Sequence, residues 1–153
     1  MDGTNSAANT AMNLATAFRW VTATQLAILL TQALLAGLAL SGNATALSAH
    51  MAVAVAALVI SVAQATLAFL WRRAGAPGWP LAISLLLLVA EIPQMASGRW
   101  QLFVLHLPLG VALFGATVAL AIYVSGWHSR QIAVPPEARA QYRLNGRPAA
   151  QKA

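Results

Sequence analysis

Four long apolar runs, separated by short polar breaks, make up most of the chain. They extend from about Arg19 to Leu40, Leu47 to Trp71, Trp79 to Ser97 and Gln101 to Ser125. Each is near the ~20 residues that a helix needs to cross a bilayer core. The runs are rich in Ala and Leu and do not alternate with polar residues, which excludes strands. The breaks carry stop and start signals. Ser41-Gly42-Asn43 ends the first run, and Asn43 or Thr45 is placed to cap the second. Residues 72–78 combine two arginines with Gly75, Pro77 and Gly78, a turn. Ser97-Gly98-Arg99 separates the last two runs. The pattern predicts an all-α fold, an integral membrane bundle of four transmembrane helices in up-down order.

Flanking segments differ in character. Residues 1–18 are small and polar over most of their length and read as a mobile N-terminal segment. No basic stretch precedes the first apolar run, so no secretory leader is expected. Residues 19–126 form the membrane domain, and residues 127–153 a basic tail that is disordered or lies along anionic lipid.

Composition agrees with a bilayer as the main partner. The chain is 59% hydrophobic and 8% charged, where a soluble domain is about a quarter charged. Cysteine is absent. That excludes disulfides, thiol chemistry, Cys-ligated zinc, iron–sulfur clusters and thiolate-ligated haem. The net charge of +6 comes mostly from Arg72, Arg73 and the tail. In such a chain positive charge reports topology rather than nucleic-acid binding. The first loop has no Lys or Arg and the third has only Arg99. The positive-inside rule therefore places both termini in the cytoplasm of a multi-pass cell-membrane protein. Trp20, Trp71, Trp79, Trp100 and Trp127 fall at the span ends, the pattern of an aromatic belt.

A repeat focuses attention on two histidines. The stretch HMAVAVAALVISVA from His50 aligns without a gap to HLPLGVALFGATVA from His106, 56 positions later. Five of the fourteen positions agree. The bundle thus reads as two repeated helical hairpins, with a pseudo-two-fold axis along the membrane normal. Equivalent residues then face each other across that axis at equal depth. Ionisable residues in hydrocarbon are costly and point to function.

Counting ~1.5 Å of rise per residue puts both histidines one to two turns below the outer interface. Glu91 and Gln94 on the third span, and Gln32 on the first, are expected at a similar depth. Each histidine is followed one turn later by a small residue, Ala54 or Gly110. Small residues there leave room for a flat macrocycle, and they equally permit close helix packing. His50 and His106 are therefore candidate axial ligands of one haem, a cofactor that bundle cores hold between facing helices. Arg99 is available to neutralise a propionate. Glu91, with Gln94 and Gln32, is a candidate proton relay or a support that orients a histidine N–H. A carboxylate in hydrocarbon is expected neutral or hydrogen-bonded.

Other readings of the same residues stay open. The histidines and glutamines serve equally as hydrogen-bonding residues that tie helices together. Zinc or copper would draw on His50, His106 and Glu91, although zinc usually takes four ligands.

The stretch QALLAGLALSG leading to His50, and LHLPLGVALFG around His106, resemble one four-helix half of the haem A synthase family. Similar histidine patterns occur in four-span bacterial membrane proteins. The resemblance covers about residues 20–125 and implies axial haem ligation by His50 and His106. It also departs from the family. Haem A synthases have two such halves, and many bacterial members carry a cysteine pair that is missing here. No motif maps a catalytic carboxylate onto Glu91.

The function expected is that of a b-type haem membrane protein, with a bis-histidine haem b near the outer leaflet. It would serve electron transfer or haem handling, with a membrane redox partner or a second copy of the chain as partner. The alternatives are a non-enzymatic accessory or scaffold subunit, and a small proton or metal transporter using the intramembrane Glu and His. Nucleotide-binding, P-loop, zincin and nucleophile-elbow motifs are all missing.

Overall fold

The computed structural model describes the backbone of residues 2–133 and the side chains of residue 6 and residues 9–127. Four helices follow in order: α1 (Asp2–Leu40), α2 (Ala44–Arg73), α3 (Trp79–Arg99) and α4 (Phe103–Ala133). All four are long and apolar enough to cross a membrane. The described residues form an all-α four-helix bundle. Each helix packs on its two neighbours in the ring α1–α2–α3–α4, so α2 and α4 stand diagonally opposed.

The bundle is apolar outside and polar within. Leu34, Val59, Leu86, Val89, Val104 and Val111 are among the large side chains that face outward. Thr22, Gln25, Ser61, Gln64, Ser84, Glu91, Ser97 and Thr117 are buried. Lipid is as apolar as leucine, so an outward leucine costs nothing there, and polar side chains join helices from the inside.

All three loops close the same way. The amide three residues past each helix end reaches back to a carbonyl five residues earlier: Asn43 to Leu38, Ala76 to Trp71, Leu102 to Ser97. This closure needs one residue in the left-handed region. Gly42 (φ 92°) and Gly75 (φ 97°) supply it in the first two loops. In the third it is Gln101, at φ 58°. A side chain in that region costs roughly 1–2 kcal/mol. Part of this is returned by the lower chain entropy that glutamine has when unfolded. Gln101→Gly is expected to stabilise the protein by about 0.5–1 kcal/mol, read as a higher melting temperature in detergent. The Asn43 side chain caps α2, accepting from the Ala46 amide at 2.9 Å.

Two boundaries differ from the sequence reading. α1 begins at Asp2 rather than near Arg19. Its first part is rich in alanine, the best helix former, and Ala15 and Phe18 are fully buried against the core. α4 continues to Ala133, past the expected end at Ser125. The rest of the tail, residues 134–153, lies outside the described residues.

One end of the bundle core is aromatic. Phe18 lies 5.5 Å from Trp71, and Trp71 4.9 Å from Trp127, between ring centres. Leu120 and Val124 complete the packing. Trp71 is therefore a core residue and not part of an aromatic belt. Trp20, Trp79 and Trp100 are the exposed tryptophans.

Candidate functional site: two facing imidazoles

The opposite end of the bundle holds the histidines. His50 lies in the second turn of α2 and His106 in the first turn of α4. Their ring centres are 6.2 Å apart, with the ring planes at 66°. The diagonal placement of α2 and α4 brings them together across the bundle interior.

Each ring is fixed by the neighbouring helix of its own hairpin. His50 Nδ1 is 3.1 Å from the backbone oxygen of Gln32 on α1. His106 Nδ1 is 2.9 Å from the backbone oxygen of Gln94 on α3. A carbonyl oxygen can only accept, so in both rings Nδ1 carries the hydrogen. In a neutral imidazole the lone pair then sits on Nε2. A backbone carbonyl on one ring nitrogen is the usual support for a histidine that ligates through the other.

The two hairpins share this Gln–His pair. Its members are 18 residues apart in the first hairpin and 12 in the second. The gapless alignment of the histidine stretches does not extend to the glutamines, because in the first hairpin both helices run three residues further between the pair and the turn. Allowing a six-residue gap at the turn would have shown the pair.

Glycine shapes the second half of the site. A Cβ on Gly98 would stand 2.8 Å from His106 Cε1 and 3.0 Å from Nδ1. Only hydrogen fits there, so Gly98 lets α3 approach the ring. A Cβ on Gly110 would meet Gln94 Nε2 at 3.0 Å. Gly110 thus makes room for the Gln94 amide. That amide nitrogen is 3.4 Å from His106 Nε2, and Ser97 Oγ is 3.4 Å from His106 Nδ1. In the first half, Gln32 Nε2 donates to the backbone oxygen of His50 at 3.0 Å. Ala54 is half-buried one turn below His50, and Arg99 is exposed in the last turn of α3.

Glu91 belongs to a different layer. Its Oε1 accepts from Gln25 Nε2 at 2.7 Å and from the Ser61 hydroxyl at 2.6 Å. Gln25 Nε2 also donates to Ser61 Oγ at 2.9 Å. Ser61 follows His50 by eleven residues, about 16 Å of helix. This corrects the expectation that Glu91 reaches the level of the histidines and bonds Gln94, Gln32 or an imidazole. Cβ atoms tilt toward the N-terminus of their own helix. α2 and α4 start at the histidine end, so His50 and His106 lean toward it. α3 ends there, so Glu91 leans away. Accordingly, among the described residues no three His or carboxylate side chains converge on one point. The trio His50, His106 and Glu91, weighed above for zinc or copper, does not assemble.

No protein-family model matches the chain, and the searches of curated proteins and of solved structures likewise found no match.

Proposed function

We propose that this chain is a b-type haem-binding membrane protein, with His50 and His106 as axial ligands of one haem b. One observation carries the reading: two imidazoles, each anchored through Nδ1 on a backbone carbonyl, with ring centres 6.2 Å apart. Two imidazoles on opposite sides of a first-row metal stand with ring centres about 6 Å apart, given metal–N bonds of about 2.0–2.1 Å and roughly 1.1 Å from nitrogen to ring centre. The donor set fits an axial pair, which needs two neutral imidazoles and no third protein ligand. Gln32 and Gln94 orient the rings through their carbonyls, and Gly98 admits the His106 ring. Arg99, exposed at the same end of the bundle, is placed to meet a carboxylate at the surface. Bound iron would supply one-electron chemistry, in electron transfer or in haem handling. The distribution of Lys and Arg supports an orientation with both termini in the cytoplasm and this end of the bundle near the outer leaflet.

The test is the absorption spectrum of the purified protein, oxidised and reduced, after expression with sufficient haem. A Soret band is expected. It should disappear in His50→Ala and in His106→Ala while both variants remain folded. Wild-type protein without the band would defeat the proposal.

A second reading draws support from the same contacts. Gln32 and His50 bond each other in both directions, and so cross-link α1 to α2. An accessory or scaffold subunit would need no more. It predicts that histidine replacement lowers stability and removes no chromophore. A transporter using Glu91 together with the histidines draws less support, since the two sit in separate layers.

A further inference from the structure

Five buried side-chain oxygens have no hydrogen-bond partner among the described residues. They are Gln32 Oε1, Gln94 Oε1, Gln25 Oε1, Glu91 Oε2 and Gln64 Oε1. Buried polar atoms are almost always partnered, so five in one small bundle call for a physical cause. They are not scattered. Gln32 and Gln94 flank the histidines, Gln25 and Glu91 form the next layer, and Gln64 lies one turn beyond Ser61 on α2. Gln25, Gln64 and Glu91 are at least nine-tenths buried. The four glutamine oxygens accept, and Glu91 Oε2 accepts when ionised and donates when protonated, so what meets them must be able to do both. Water does both, and polar interiors hold it where apolar ones stay dry.

The column stops at the aromatic end. Past Gln64 the core is filled by Phe18, Ala68, Trp71 and Val124, and none of the five oxygens lies among them. From this arrangement we propose that the bundle encloses a one-ended file of ordered water. It opens at the histidine end, passes Gln32 and Gln94, reaches the Glu91–Gln25–Ser61 cluster and Gln64, and is sealed by the Phe18–Trp71–Trp127 plug. The file connects the Glu91 carboxyl to bulk water on one side of the membrane. A proton leaving Glu91 Oε2 passes to the adjacent water as hydronium and exits past the histidines, and uptake reverses the path. The plug denies it the other face. Glu91 therefore exchanges protons with one compartment and carries none across. This inference rests on the unpartnered oxygens and is independent of iron at the histidines.

The absence of cysteine makes the test clean, because single-cysteine variants have no background. Silver ion is the probe: it follows water paths and binds thiolate, a soft ligand. Ser61→Cys and Thr117→Cys sample the Glu91 layer at repeat-equivalent positions. Among the described residues the Thr117 hydroxyl bonds only the Leu113 carbonyl of its own helix, so this variant keeps the fold if Ser61→Cys does not. Ala68→Cys and Val124→Cys, again repeat-equivalent, sample the plug. Each variant is placed in lipid nanodiscs, exposed to silver ion, then unfolded and labelled with a maleimide to count the remaining thiols. Thiols in the Glu91 layer are expected to react at least about tenfold faster than those in the plug, which are reached only by transient opening of the helices. Equal rates at the two depths, whether both fast or both slow, overturn the proposal.

Discussion

Gly98→Ala is expected to lose haem binding while keeping the fold. The added methyl would stand 2.8 Å from one carbon of the His106 ring and 3.0 Å from Nδ1. The first is a distance that real Cβ atoms essentially never show and the second is tighter than most, so the ring must move. It is held on Nδ1 by the Gln94 carbonyl at 2.9 Å. Displacing it breaks that bond and moves Nε2 from the place it holds 3.4 Å from the Gln94 amide nitrogen. α3 itself has no cause to fail. Alanine exceeds glycine in helix propensity by about 0.8–1 kcal/mol, which offsets the local crowding. Haem affinity should fall at least about tenfold, equivalent to ~1.4 kcal/mol. The melting temperature of the haem-free protein should stay level or rise. Titration of haem into purified wild type and variant reads the first quantity, and thermal unfolding in detergent the second. Equal haem affinity in the two proteins would show that the His106 ring position is irrelevant to binding. The companion change Gly110→Ala presses on the end of the Gln94 amide rather than on a ligand, and should weaken binding less.

The sequence made the spans and the histidine pair legible, and left other parts of the site hidden for definable reasons. Apolar runs mark helices because hydrocarbon tolerates no unpaired backbone, so length and composition suffice to find a span. The histidines stood out because a repeat placed them at equivalent positions and because few ionisable residues occur at all. Their carbonyl partners are backbone atoms and leave no mark in residue type. Gly98 reads as a loop residue between two spans, and its contact with the ring of His106, in the first turn of the neighbouring helix, could not be counted from span ends. Glu91 was placed too near the histidines because counting residues fixes a Cα and ignores which way the side chain leans. The first eighteen residues misled through polarity: their alanines continue the helix, and the burial of Phe18 depends on Trp71 from another helix. Apolar periodicity was no help in facing the helices, since their lipid sides are apolar too.

Trp71→Ala is expected to be the most destabilising single change in the described bundle. The side chain is 1% exposed and touches aromatic rings from two other helices, Phe18 on α1 and Trp127 on α4. In soluble cores such a truncation costs about 3–5 kcal/mol, from lost transfer energy and a residual cavity. Within a bilayer the transfer part shrinks, because lipid tails are as apolar as the core. The cavity part persists, since the surrounding atoms lose dispersion contacts that nothing replaces. A cost of about 2–3 kcal/mol therefore remains. Trp20 and Trp100, at 62% and 70% exposed, lie at the surface, and their replacement by alanine should cost within about 0.5 kcal/mol. Reversible unfolding in mixed micelles across the three variants gives the comparison. If Trp71→Ala unfolds no more readily than Trp100→Ala, the aromatic end is not a packed seal, and the closure of the polar column at Gln64 loses its physical basis.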